Sequence, residues 1–162
     1  LFSILIFSLC CLFFMPIRYV QTIKIFSLVV SALVLFLSCT LLVGFDCNNY
    51  YFSHVVTYSF GSSLINFSFS FGLDGISLFF FILTSFLIFL CILFIWNDIR
   101  FKEFTLNLLL IELLLLLVFS VLDLFLFYVF FELYGICIYL LFAIGTNIQQ
   151  KKYAHVQLSQ YS

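Results

Sequence analysis

Residues 104–143 read FTLNLLLIELLLLLVFSVLDLFLFYVFFELYGICIYLLFA, and this stretch decides the fold. It is about twice as long as the roughly 20 apolar residues that cross a bilayer, and it contains no Gly or Pro before Gly135. Its only charged residues are Glu112, Asp123 and Glu132. An ionisable side chain in hydrocarbon costs roughly 2.5–3.5 kcal/mol even on mild scales, so such residues usually belong to an ion or proton pathway. The stretch therefore predicts two membrane-spanning helices that carry acidic groups.

The boundary between these two helices is expected at the polar interruption formed by Ser120 and Asp123. A tight turn there makes an antiparallel helical hairpin, in which Asp123 caps the second helix by accepting backbone N–H bonds. Glu112 lies ten residues before Leu122, and Glu132 lies ten residues after it. At 1.5 Å per residue both glutamates are about 15 Å from the turn, which places them near the bilayer midplane.

The composition extends the membrane interpretation to the whole chain of 162 residues. Hydrophobic residues make up 66% and charged residues only 8%, whereas charged residues are about 25% of a typical soluble domain. Backbone polar groups in lipid must be satisfied within the segment, which favours helices. No basic run is longer than Lys151-Lys152, so nucleic-acid binding is excluded as a function. The predicted fold class is an all-α membrane protein.

Apolar segments at 1–15, 25–45, 76–96, 104–120 and 122–143 predict about five transmembrane helices, the first of them short. The chain then divides into helices one and two (1–45), an extramembrane loop (46–75), helices three to five (76–144) and a matrix loop leading into a following helix (145–162). Within the extramembrane loop, residues 64–71 read LINFSFSF, and this alternation predicts a strand or short hairpin that ends at Gly72. Asp74 precedes helix three and is expected to cap it.

Basic residues fall in only three of the predicted loops. They lie between helices one and two, between helices three and four, and after helix five: Arg18, Lys24, Arg100, Lys102, Lys151 and Lys152. Because Lys and Arg are retained on the negative side during insertion, these loops are predicted to face the matrix or cytoplasm. Trp96, at the end of helix three, fits an aromatic anchor at that interface.

Glu132 is the first candidate for chemistry. Its helical face carries Tyr128, Gly135 and Tyr139, two phenols and a glycine that could support hydrogen bonds, close helix approach or a small water-filled cavity. A carboxyl group in that setting can take up and release protons. The alternative interpretation is a protonated glutamate that is hydrogen-bonded between helices.

Glu112 and Asp123 have weaker sequence support. Glu112 is followed by five consecutive leucines. Two roles are considered for its carboxyl group: proton relay and structural hydrogen bonding. Asp123 is expected to act mainly as the helix cap, with guidance of protons toward the membrane surface as the alternative.

Neither metal nor disulfide chemistry is predicted. His54 and His155 have no metal-ligand partner at helical spacing, so no metal site is expected. The chain has six cysteines with no C-x-x-C spacing: Cys10, Cys11, Cys39, Cys47, Cys91 and Cys137. Five of the six lie in apolar runs, where cysteine packs as a small hydrophobe.

Two motifs resemble a known family. Residues 71–80 (FGLDGISLFF) and 122–132 (LDLFLFYVFFE) closely resemble the antiporter-like subunit 4 of respiratory NADH:ubiquinone oxidoreductase, complex I. The resemblance is strong over 71–132, weak over 144–162 and nonspecific over the first 50 residues. It implies that Glu132 occupies the family's glutamate in transmembrane helix five, which pairs with a lysine two helices later. Cys137 stands where the family usually has a proline.

The resemblance also implies a location and partners. The family has about fourteen helices built from inverted halves, so the chain is expected to be the N-terminal portion of such a subunit, completed by a separate chain that supplies the paired lysine. It implies a non-redox subunit that couples NADH:ubiquinone oxidoreduction to proton pumping in the mitochondrial inner membrane. It also implies that flavin, iron-sulfur and NADH chemistry belong to other subunits, so no cofactor is expected in this chain. Neighbouring membrane-arm subunits and phospholipid, with cardiolipin as one candidate, are expected partners. The alternatives are a subunit of a multisubunit cation/proton antiporter and a non-conducting structural remnant.

Overall fold

A computed structural model of the chain describes residues 1–45, 53–62 and 65–160. Its elements, in order, are α1 (Phe2–Phe14), a 3-10 turn (Ile17–Tyr19), α2 (Val20–Val43), β1 (Ser53–Ser62), β2 (Ile65–Leu73), α3 (Gly75–Phe94), α4 (Phe101–Ser120) and α5 (Leu124–Gln160). The predicted all-α membrane fold with an extended segment after helix two is confirmed. Residues 46–52, which open that segment and include Cys47, lie outside the described residues, as does Leu64 in the alternating run.

Four of the helices are long and apolar enough to cross a membrane, whereas α1 is shorter. With 13 residues, α1 is about 20 Å long at 1.5 Å per residue, less than the hydrocarbon thickness of about 30 Å. The short first segment predicted from the sequence is therefore a short helix in the structure.

Helix α4 lies at the centre of the bundle and packs against α1, α2, α3, α5 and β2. One stripe of α4 is fully buried at i, i+4, i+7 and i+11, formed by Thr105, Leu109, Glu112 and Leu116. Helix α5 packs on α4, but only 6% of the most apolar stretch of α5 is buried. Most of the α5 surface is therefore uncovered in this chain.

Small polar residues mark the contact between α2 and α3. Ser38 Oγ and Ser85 Oγ are 3.1 Å apart, and each also lies within hydrogen-bond distance of the carbonyl oxygen four residues earlier in its own helix. Because each hydroxyl has one proton, one serine donates to the other, and the accepting serine donates to its own backbone. Ser27 and Ser31, fully buried on α2, likewise donate to their own backbone. Small side chains of this kind let helix backbones approach closely in a membrane.

Basic and aromatic side chains join the helices at one end of the bundle. Lys102 Nζ donates to the carbonyl oxygens of Phe13 (3.3 Å) and Met15 (2.5 Å), at the end of α1. Lys24 Nζ lies 5.5 Å from the ring centroids of both Trp96 and Phe101, a cation–π geometry. The end of α1, the start of α2, the end of α3 and the start of α4 therefore meet at one basic end.

The β-hairpin lies at the opposite end, where α4 turns into α5. Strands β1 and β2 pair antiparallel, as the alternation predicts. Leu122 N donates to Ser70 O at 3.0 Å, and Phe71 forms an antiparallel bridge with Val121. The connection between α2 and α3 and the turn between α4 and α5 thus share one end, opposite the basic end.

The end of the last helix corrects the predicted boundary. We expected helix five to end at Ala143 and a loop to begin at residue 145, but α5 continues without a break to Gln160. The apolar pattern stops near Ala143, whereas the following Gln, Lys and Ala residues are strong helix formers and no proline intervenes. At 37 residues α5 is about 55 Å long, so its last turns extend well beyond a hydrocarbon layer of about 30 Å.

Candidate functional site

Glu112 is the most enclosed acidic residue in the described part of the chain. Its side chain is 0% exposed, and neither carboxyl oxygen has a hydrogen-bond partner among the described residues. Thr105, two turns earlier on the same stripe of α4, is also fully buried with no partner for its hydroxyl in that part of the chain. A buried polar group without a partner costs about 1–3 kcal/mol, and more if it is charged, so this inner face of α4 has unmet hydrogen-bonding capacity.

Glu132 has the opposite environment, because its side chain is exposed on α5. The predicted stripe of Tyr128, Gly135 and Tyr139 is exposed with it; the two tyrosines are 62% and 72% exposed. No hydrogen bond or ion pair of Glu132 occurs within residues 1–45, 53–62 and 65–160. The stripe is therefore a continuous uncovered face in the middle of a membrane-spanning segment.

The contact between α4 and α5 explains why the two glutamates diverge. Asn107 Nδ2 donates to the Cys137 carbonyl at 3.2 Å, and the Cys137 side chain is buried against the core. Glu112 is five residues from Asn107 and Glu132 is five residues from Cys137. Five residues rotate a side chain about 140° around a helix axis, so both glutamates point away from the α4–α5 contact, in opposite directions. The sequence analysis missed Asn107, although an amide in an apolar helix is itself a sign of interhelical hydrogen bonding.

Asp123 lies at the α4–α5 turn, away from both glutamates. Its Oδ1 accepts a hydrogen bond from Phe125 N at 3.3 Å, and its carbonyl accepts from Phe127 N at 3.0 Å, so the predicted capping geometry is present. Asp74 caps α3 at the same end by accepting from Gly75 N at 2.7 Å. The three predicted site residues are therefore not brought together: one is buried, one faces outward and one is at the end of the bundle.

The helices and their acidic groups define a class of protein. The chain is a multi-pass α-helical membrane protein whose spanning helices carry an enclosed glutamate, Glu112, and an outward-facing glutamate, Glu132, near their middle.

Comparison with known proteins gives the family. No protein-family profile matches the chain. It is 37% identical over 167 residues to NADH-ubiquinone oxidoreductase chain 4 of Prototheca wickerhamii, which covers 93% of this chain and 32% of that protein. The identity is again 37% to the protein of the same name from Arabidopsis thaliana, over 93% of this chain and 31% of that protein. The Metridium senile protein of that name is 52% identical over 80 residues, 48% of this chain and 16% of that protein.

The chain is thus a homologue of the N-terminal part of NADH-ubiquinone oxidoreductase chain 4, which confirms the family resemblance of the two motifs. It spans about a third of the length of the curated relatives that it matches.

Proposed function

We propose that the chain forms the first part of a proton-translocating antiporter-like subunit in the membrane arm of respiratory complex I, in the mitochondrial inner membrane. The observation that carries this proposal is the similarity to chain 4 of NADH-ubiquinone oxidoreductase over most of the chain. The subunit would contribute no redox chemistry of its own, and its role would be to move protons while other subunits transfer electrons from NADH to ubiquinone.

Glu132 is the proposed site of proton uptake and release. Its outward orientation is incompatible with direct exposure to lipid, because a carboxylate there would cost several kcal/mol. The described basic residues of the chain lie at or near helix ends at the basic end of the bundle or in the last turns of α5, the closest along α5 being Lys151. That residue is 19 positions away, or about 28 Å along the helix. A cation or a set of hydrogen-bond donors must therefore come from outside residues 1–162.

We infer that a further set of helices covers the stripe of Tyr128, Glu132, Gly135 and Tyr139. About two thirds of the relatives' length lies outside the region of similarity, and the family resemblance assigns a lysine to a helix in that part. A separate chain that carries this remainder, as predicted from the sequence, would place the lysine against Glu132. A Cβ atom added at Gly135 would meet no described atom within 4 Å, which leaves room for close approach of another helix.

Glu112 is proposed as a second proton site, within the part of the bundle that this chain builds. Its two oxygens, unpartnered among the described residues, leave it able to bond with water or to exchange a proton. The buried Thr105 hydroxyl on the same stripe could hold a water on the way to the basic end. Asp123, already engaged as a helix cap, is proposed to act at the surface rather than within the path.

The test is the substitution Glu132→Gln in the assembled complex, with Glu103→Gln as the matched control. The amide keeps the volume and some hydrogen bonding but cannot exchange a proton. We expect a lower ratio of protons pumped to electrons transferred, with assembly largely maintained. Glu103 is an exposed glutamate at the basic end, paired with Arg100, and its substitution should leave the ratio unchanged. An unchanged ratio for Glu132→Gln would instead favour a non-conducting structural role.

A further inference from the structure

A groove between α4 and α5 changes from apolar to basic along its length. Its apolar part is a cavity of about 510 Å³ whose wall is almost entirely apolar and includes Leu110, Leu140 and Ile144. Helix α1 closes one side of this part with Leu9, Cys10, Phe13 and Phe14. Nearer the basic end a second cleft of about 350 Å³ is lined by Arg100, Asn147, Gln150, Lys151 and Ala154. The groove therefore has the amphipathic character of a lipid molecule.

The two parts follow one another along the bundle, because one face of α4 and one face of α5 line both. On α5, Leu140 and Ile144 line the apolar part, and Asn147 and Lys151 line the basic part; the spacings of four, three and four residues keep them on one helical face. On α4, Leu110, Asn107 and Glu103 line the apolar part, and Arg100 just before the helix lines the basic part. These positions are three or four residues apart, so they also share one face.

The length of the groove matches one leaflet of a bilayer. From Leu110 to Arg100 there are ten residues on α4, about 15 Å, which is half of a hydrocarbon core. Arg100 is about 30 Å from Ser120 at the other end of α4, so it lies one full hydrocarbon thickness from the α4–α5 turn. The basic cleft is at the end of the bundle where Lys24 lies over Trp96. The cations therefore lie at the depth of lipid headgroups, and the apolar wall lies at the depth of acyl chains.

The charge of the cleft favours an anion. Arg100 and Lys151 supply two positive charges, and Asn147 and Gln150 supply amide donors. Glu103 supplies the one carboxylate among the described lining residues, and its Oε2 lies 3.5 Å from Arg100 Nε. This ion pair involves the Nε edge of the guanidinium, and an exposed pair of this kind contributes little stability. The net charge of +1 and the planar guanidinium fit a phosphodiester group.

We propose that this groove binds one phospholipid with an anionic headgroup. Its phosphate lies between Arg100 and Lys151, and an acyl chain lies along Leu110, Leu140 and Ile144. The proposal requires only that the chain is embedded in a membrane. It can therefore hold if proton translocation fails, and it can fail while proton translocation stands.

The test uses the full chain in nanodiscs that contain equal amounts of phosphatidylcholine and phosphatidylglycerol. Native mass spectrometry of the released chain counts the retained lipids of each type. We expect preferential retention of one phosphatidylglycerol, and we expect Arg100→Gln and Lys151→Gln each to lower this preference about fivefold, since a direct hydrogen bond to the phosphate contributes about 1 kcal/mol net.

The matched control is Lys152→Gln, which removes the same charge one residue away, about 100° around the helix from Lys151. It should leave the preference unchanged. An equal loss for Lys152→Gln would show that diffuse charge, not a site, selects the lipid. Displacement of phosphatidylglycerol by inorganic phosphate would show a small-anion site instead.

A second measurement tests whether the groove is occupied by lipid or by another protein. In the assembled complex, a photoreactive group attached to Ile144→Cys should form an adduct with lipid. An adduct with another polypeptide would overturn the proposal, because it would show that the groove is a protein interface.

Discussion

Glu112 and Glu132 lie at the same depth in the bundle and on opposite sides of the α4–α5 pair. Glu112 is eight residues before the end of α4 at Ser120, and Glu132 is eight residues after the start of α5 at Leu124, so each is about 12 Å from the turn between these helices. Glu112 is fully buried, whereas Glu132 is exposed. A proton passing between them would have to cross the packed interface of α4 with α5, so we expect the two glutamates to serve separate parts of a path.

Substitution of Glu112 by leucine tests whether the buried carboxyl group stabilises the fold. Because its oxygens have no partner in the described part of the chain, we expect Glu112→Leu to raise the free energy of unfolding in detergent by about 1–3 kcal/mol, the usual cost of an unsatisfied buried polar group. The same substitution should impair proton translocation in the assembled complex.

The control for this prediction is Glu103→Leu at the exposed basic end, which should change stability by no more than about 0.5 kcal/mol. A clear loss of stability for Glu112→Leu, with translocation intact, would assign Glu112 to structural hydrogen bonding.

The hydrogen bond between Ser38 and Ser85 should couple α2 to α3. Its Oγ–Oγ distance of 3.1 Å is within hydrogen-bond range. Interhelical hydrogen bonds in membrane proteins contribute about 0.6 kcal/mol on average. We expect a double-mutant cycle of Ser38→Ala and Ser85→Ala to give a coupling free energy of that size in reversible unfolding.

Ser31→Ala combined with Ser85→Ala provides the comparison, because the Ser31 hydroxyl bonds within its own helix and should show no coupling. Equal coupling in both cycles would mean that helix packing, not this hydrogen bond, links the two helices.

Lys102 should hold the end of α1 against α4. Its ammonium group donates to the carbonyl oxygens of Phe13 and Met15, and carbonyl groups at the end of a helix lack partners within that helix. We expect Lys102→Met to cost about 1–3 kcal/mol, the range for hydrogen bonds to charged groups, and to increase hydrogen exchange in the last turn of α1. Lys152→Met, at an exposed position of α5, should change neither quantity. Unaltered exchange in α1 with Lys102→Met would show that packing alone holds the helix.

Hydropathy and alternation predicted the elements that depend on local pattern. The long apolar stretch with Asp123 near its middle predicted the turn between α4 and α5, and the alternation around Phe67 and Phe69 predicted the hairpin strand. Helix rotation could not be predicted, because α4 and α5 are apolar on nearly every face and the surrounding lipid favours no particular one. The burial of Glu112 and the exposure of Glu132 depend instead on how the helices pack, because α4 is surrounded by other helices whereas most of α5 is uncovered. The end of α5 was missed because helix propensity continues where hydropathy stops.

Cysteine labelling tests the topology in which the hairpin and the α4–α5 turn share one side of the membrane. The contact of Leu122 with Ser70 requires this shared side, and retention of basic residues predicts that it is the intermembrane space. In a chain that carries Cys47→Ser, we expect a membrane-impermeant maleimide to label Ser59→Cys and Leu122→Cys in mitoplasts. Gln149→Cys, exposed on the last turns of α5, should be labelled only in inverted inner-membrane vesicles. Labelling of Ser59→Cys and Leu122→Cys from different sides would contradict the observed contact. Reversal of all three positions would keep the fold and overturn only the orientation, since the contact fixes which loops lie together and the charges alone predict which compartment they face.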